Sequence, residues 1–230
     1  MPQQSTVADP SPNKHVMRSS ETRARMVDAA IEVFGAVGYE GASTRALAEK
    51  SSVSLAAIPY HFGGKRELYL AAAQTIADYA SEVLEPIMND LRHSDSGPAV
   101  RIDNALRDFF QVVVGGQESH SWIAFLVRCE QEDDEAFEII YEAVIARFSS
   151  ALTSATAAAT GRDCSDERLR IQIASILALA INFRTLRNMT LRNLGWERID
   201  SDRLALLSAV IRQAALRELG LAGVSSTMDG

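Results

Sequence analysis

The sequence predicts an all-α protein in which a small three-helix head precedes a larger helical body. Two observations carry this. Apolar residues recur at three- and four-residue steps through long segments, and no stretch alternates with the period of two that a half-buried strand needs. Stop signals punctuate those segments at Gly38, Gly63-Gly64, residues 93–98 (HSDSGP) and Gly115-Gly116. The chain has 230 residues, 47% of them hydrophobic, which is enough for a sizeable core in one large domain or two smaller ones.

Residues 1–20 are rich in Pro, Ser and Gln and read as a disordered arm. Lys14, His15 and Arg18 there suit contact with a nucleic-acid backbone or minor groove, and a solvated tail is the plainer reading. A first helix is expected over 21–37, capped by Ser19 or Ser20, with Met26, Ala29, Ala30, Val33, Phe34 and Val37 on its inner face. Gly38 ends it. Phe34 and Phe62 are expected to share the core of the head.

The next stretch organises the rest. Residues 44–50 form a short helix with Ser43 or Thr44 as N-cap and Leu47 and Ala48 on its apolar side. Ser51-Ser52-Val53 is a turn, and Ser54 is the expected N-cap of a second helix over 55–62. Gly63-Gly64 stops that helix, and Lys65 opens another. Two short helices at this spacing match a helix-turn-helix, whose second helix enters a DNA major groove. Pro59 leaves the Leu55 carbonyl without its helical donor, so the second helix should be short, or kinked near its end.

Here the chain resembles the TetR (tetracycline-repressor-like) family of transcriptional regulators. Gly41, Thr44, Leu47-Ala48, Val53-Ser54, Ile58, His61-Phe62, Lys65 and Leu68 carry the resemblance, over roughly residues 21–70. The segment Ala56-Ala57-Ile58-Pro59-Tyr60-His61-Phe62-Gly63-Gly64-Lys65 is similar to the A-A-I-x-Y-H-F-G-x-K subgroup that includes the CecR-like repressors. Two positions depart from the pattern: Ser52 stands where Gly is frequent, and Pro59 replaces the common Tyr or Asn. The resemblance implies a DNA-binding head at 21–68, an effector-binding and dimerisation body at 69–220 and a flexible tail at 221–230.

The charge distribution agrees with a head that meets DNA. The chain carries a net −7, yet residues 1–66 hold eight Lys/Arg against six Asp/Glu, so the acidity lies in the body. Phosphate contacts set position and base contacts set sequence. By resemblance Lys65 is a backbone contact, and Thr44 at the preceding helix start is similar. Tyr60 and His61 offer polar tips to phosphates, with packing inside the head as their alternative role. Arg45 suits phosphate or bidentate guanine contact. Ser54, Leu55, Ala56 and Ala57 are small or apolar, and the last three fit close approach to thymine methyls.

Through the body, helices are expected over 66–92, 99–114, 121–129, 136–159, 166–192 and 201–219. Pro86 should kink the first of these or end it early. The run 130–135 holds five acids in six residues and reads as a solvated helix start rather than a cation site. Residues 171–183 are apolar nearly all round, which reads as a buried helix and not a membrane span. The last two long helices carry surplus apolar surface, and the resemblance implies that they pair with a second copy in a four-helix interface. Such a homodimer presents two heads to the half-sites of a palindromic double-stranded operator. A pocket for a small hydrophobic or aromatic effector is expected from Phe109, Phe110, Trp122, Phe125, Tyr141 and Phe183, with Arg128, Asn182 and Arg187 as its polar groups, although for each residue taken separately core packing is the plainer reading. The resemblance further implies that effector binding favours heads misspaced for DNA, giving a ligand-released repressor.

Other classes have little in their favour. No H-E-x-x-H or paired C-x-x-C is present, Gly63-Gly64-Lys65 lacks the spacing of a phosphate loop, and His15, His61, His93 and His120 are scattered. An enzyme, a metal site and a cofactor are therefore not expected. Cys129 and Cys164 have no metal-like spacing, and with no signal peptide the expectation is a reduced cytoplasm. The competing reading is a helical protein-binding adaptor, which has no use for Thr44, Tyr60 and Lys65 around a short helix.

Overall fold

The computed structural model describes residues 12–116 and 120–222, and these form helices joined by short turns, with no strand among the described residues. The head comprises α1 (Pro12–Gly41), α2 (Thr44–Lys50) and α3 (Ala57–Phe62). The connecting helix α4 (Lys65–His93) leads into α5 (Pro98–Gly115), α6 (His120–Glu132) and α7 (Glu135–Ile140). A π turn (Tyr141–Ile145), α8 (Ala146–Thr160), α9 (Glu167–Thr185), α10 (Arg187–Leu194) and α11 (Ser201–Glu218) complete the body. No single described helix is long and apolar enough to cross a membrane; α9 and α10 together would be, but they are bent by 85°.

The first helix starts at Pro12, inside the expected arm, with proline in the first turn where its missing N–H costs nothing. Thr22 ties into the turn before it by donating to the Arg18 carbonyl at 2.8 Å. Residues 1–11 of that arm and most of the expected tail lie outside the described residues. The chain leaves helical geometry at Gly38 (φ 73°, ψ 176°), the predicted stop. A Cβ there would meet Glu132 Oε1 at 2.8 Å, and the left-handed φ adds its own demand for glycine. Val37, expected inside, is exposed.

Four body expectations are corrected. Pro86 does not end α4, which runs on to His93 with Leu84, Ile87 and Met88 buried around it. One lost backbone bond in a 29-residue helix is offset by that packing. The expected 136–159 helix is continuous but contains the π turn. The expected 166–192 helix breaks at Leu186 into α9 and α10. Finally, α9 is not buried all round: Ile171 and Leu179 face outward, as do Leu206 and Val210 on α11.

One continuous core joins head to body. Met26, Ile31, Phe34, Leu47 and Ile58 from the head continue through Leu68 of α4 into Phe110, Phe125, Phe148 and Leu152. The junction is close. A Cβ on Gly35 of α1 would stand 2.7 Å from the Ser121 carbonyl and 3.1 Å from the Phe125 amide, so α1 lies against the backbone of α6. The rings of Phe34, Tyr69 and Phe125 pack there edge to face or tilted, with centroids 4.8–6.4 Å apart.

Candidate nucleic-acid interface and effector cavity

The helix-turn-helix is built by local rules. Ser43 caps α2, its Oγ accepting from the Ala46 amide at 3.0 Å. At the other end the Val53 amide donates to the Ala48 carbonyl and the Ser52 amide to that of Glu49, the pair of bonds that closes a Schellman turn. Ser52 adopts φ 55° in that turn, a left-handed position that suits glycine better. Val53 plugs the gap, half-buried against the core.

The recognition helix α3 is shorter than expected. Leu55 and Ala56 lie in a turn, closed by the Ala57 amide donating to the Ser54 carbonyl at 2.9 Å, so Ser54 caps nothing. Helix geometry begins at Ala57, which places Pro59 at the third helical position. An N–H there has no intrahelical partner, so the proline is accommodated by a late start and not by a kink. Ile58 anchors the helix in the core.

The outer face of this motif is open. Tyr60 is 80% exposed and Leu55 57%. Ser54 and Ala56 are exposed and Ala57 half-buried. Tyr60 packs nothing in the head; its ring meets only that of His61 edge-on at 5.0 Å. Thr44 and Arg45 are exposed on α2, where Arg45 pairs with Glu49 on its own helix at 2.9 Å. Exposed pairs of this kind contribute about 0.3–0.5 kcal/mol, little enough for a phosphate to replace the carboxylate. Lys65 sits at the first position of α4 with its ammonium 4.3 Å from the centre of the Tyr39 ring. Phe62, expected in the head core, is only half-buried.

One residue of this region was not anticipated. Arg23 of α1 stacks its guanidinium 4.1 Å above Phe62 and donates to the His61 carbonyl at 2.8 Å. It clamps the end of α3, where helix carbonyls lack partners. The only sequence signal was a cation on the outer face of α1.

A cavity of about 160 Å³ lies in the body between α4, α5, α6, the π turn, α8 and α9. Of the nine effector residues expected, Phe109 and Trp122 line it. Phe110 and Phe125 are core residues elsewhere, and Phe183 packs against the core. Tyr141 is exposed, its ring tilted against that of Phe137 with centroids 5.7 Å apart. Arg128 reaches back to the Ala36 carbonyl at 3.5 Å. Asn182 is exposed, and Arg187 opens α10 beyond the break. The rest of the wall is mostly aliphatic, with Ile76, Val83, Val113 and Leu177 among its residues, and Tyr79 and Phe148 add two further aromatic rings. Arg184 is the one charged group among the described lining residues, and its Nη1 donates to the Val113 carbonyl at 3.0 Å. No cluster of His, Cys, Asp and Glu among the described residues is arranged to hold a metal ion.

Comparison with known proteins agrees with this layout. Residues 26–72 match the family described as bacterial regulatory proteins, tetR family. Residues 98–221 match the C-terminal domain of the HTH-type transcriptional dual regulator CecR. The chain is 28% identical over 202 residues to the CecR regulator of Shigella flexneri, covering 85% of this chain and 90% of that one. It is also 28% identical over 162 residues to the regulatory protein RaaS of Mycobacterium tuberculosis, covering 70% of each. Among solved structures, a TetR-like transcriptional regulator from Rhodococcus sp. RHA1 matches with a TM-score of 0.61 at 20% identity, covering 88% of this chain and 96% of that one. The regulator FadR of Bacillus subtilis, solved with stearoyl-CoA, matches with a TM-score of 0.59 at 15% identity, covering 85% and 98%.

Proposed function

The chain belongs to the TetR family of DNA-binding transcriptional regulators and carries a CecR-type C-terminal domain, and from that premise we propose that it is an operator-bound repressor released by a small hydrophobic effector. The observation that carries the reading is the exposed face of α3 and the turn before it. Leu55, Ala56 and Tyr60 stand clear of the core while Ile58 fixes the helix from behind. An apolar side chain the size of Leu55 left in water at the tip of a head is accounted for by contact with a thymine methyl in a major groove.

In this reading Thr44, Arg45, Ser54, Ala57, His61 and Lys65 ring that face and meet phosphates or base edges. Residues 21–68 are the head and 69–220 the body. The outward apolar residues Ile171, Leu179, Leu206 and Val210 on α9 and α11 form the face that a second copy covers. The cavity beside Phe109 and Trp122 takes the effector.

The test is fluorescence anisotropy on duplexes from the region upstream of the gene, across a salt series, with wild type beside Tyr60→Ala and Lys65→Ala. Wild type is expected to bind a palindromic fragment as a dimer, and both variants to bind it more weakly. The slope of log affinity against log salt is expected to fall by about one per lost phosphate contact for Lys65→Ala. Binding unchanged in both variants would contradict the assignment.

A further inference from the structure

Resting on the effector reading above, we propose that the bond between Tyr69 and Asp134 is the pivot through which occupancy of the body cavity turns the DNA-binding head. The helix α4 serves both ends of the molecule. Its first turn follows the recognition helix directly, and its middle supplies Ile76, Ala80 and Val83 to the cavity wall. The facing wall is the end of α7 and the π turn, through Ile140, Val144 and Ile145.

The same two stretches are joined at the head end. Tyr69 Oη donates to Asp134 Oδ2 at 2.6 Å. The other carboxylate oxygen accepts from the Ala136 and Phe137 amides at 2.9 and 3.0 Å, so one side chain caps α7 and holds α4. Arg66 and Glu135 form an ion pair beside it. Asp133, at φ 48°, makes the tight turn from α6 that presents Asp134. The Tyr69 ring is fixed between Phe34, Tyr39 and Phe125. Burial and the carboxylate partner both push its hydroxyl pKa upward, so it remains a neutral donor throughout the physiological range.

The geometry has the form of a lever. Ala80 lies eleven positions after Tyr69, roughly 16 Å along α4 at the usual rise. The cavity, about 160 Å³, is smaller than the 300 Å³ or more of a typical ligand pocket, so a drug-sized effector must part α4 from the facing wall. The π turn is the irregular stretch of backbone in that wall, and it is the one that yields. With Tyr69 held on Asp134, parting the helices at the cavity rotates α4 and carries α3 with it. Without that bond the helices part and the head stays where α1 and α6 hold it.

A double-mutant cycle tests this without knowledge of the effector. Ala80→Phe fills the cavity from the α4 side and mimics occupancy, and Tyr69→Phe removes the bond while keeping the ring. Affinity is read by anisotropy on a palindromic duplex that wild type binds, with cooperative melting checked for each full-length variant. Ala80→Phe is expected to lower affinity about tenfold or more with Tyr69 present and no more than about twofold in the Tyr69→Phe background. Equal losses in both backgrounds would overturn the pivot and leave the effector reading standing. No loss in either background would overturn the link between cavity and head, and the effector reading with it. If Ala80→Phe does not fold, Val113→Phe fills the same cavity from α5 and the same outcomes apply.

Discussion

Arg23 in α1 donates to the carbonyl of His61 near the end of the recognition helix at 2.8 Å, although 38 residues separate them. With the same guanidinium stacked on Phe62, one side chain holds the recognition helix against the head. Arg23→Ala is expected to weaken operator binding about 3–10-fold, as loss of one hydrogen bond and one exposed cation–π contact implies, roughly 1 kcal/mol. Arg23→Lys keeps a cation over the ring and should recover part of the loss. Anisotropy on an operator duplex reads both; equal affinity for all three would contradict the clamp.

Gly35 is where α1 meets the backbone of α6. A methyl there would clash with the Ser121 carbonyl at 2.7 Å, and neither backbone has a flexible end to move aside. Gly35→Ala is expected to destabilise the protein by about 1–3 kcal/mol, the usual cost of overpacking. Urea unfolding measures it, with a lower midpoint expected at an unchanged slope.

Ser52 gives the opposite case. Its φ of 55° is strained for any residue with a Cβ, and its side chain is exposed. Ser52→Gly should therefore stabilise the protein by about 1 kcal/mol through the turn between α2 and α3. Thermal or urea unfolding would show the gain, and a loss of stability would mean that the turn does not carry this strain.

The two cysteines should behave differently. Cys129 is fully buried, with its thiol donating to the Leu126 carbonyl at 3.2 Å, and burial pushes its pKa up to about 12. Cys164 is exposed. A thiol reagent near pH 8 should titrate one cysteine in the native protein and both after unfolding. A native pKa above the unfolded value means that the contribution of Cys129 to stability is complete below about pH 9 and declines as pH rises toward about 12. Rapid modification of both thiols in the native state would contradict this burial.

What the sequence disclosed depended on the range of the interactions involved. The helix-turn-helix was legible because its parts are local: the Ser43 cap, the turn at Ser52 and the stop at Gly63 act within a few residues. The start of α3 was misplaced because Leu55 and Ala56 have good helical propensity, and the late start follows from how Ile58 and Pro59 dock. The bend at Leu186 was hidden because no Gly or Pro marks it. In the sequence, the clustered aromatics Phe110 and Phe125 look like pocket residues, but they sit in the core. The cavity wall is instead mostly Ile, Val, Leu and Ala, which read as ordinary core in a sequence. Arg184 went unnoticed because its place beside the cavity depends on how α9 meets α5.

Selection from a pool of random duplexes with the full-length protein decides whether the exposed face around Tyr60 reads a palindromic operator. The expected result is enrichment of a palindrome whose half-sites lie about one helical turn, or a multiple of it, apart, and loss of that enrichment with Tyr60→Ala. Recovery of no preferred sequence, at any salt concentration where the protein binds DNA at all, would contradict it.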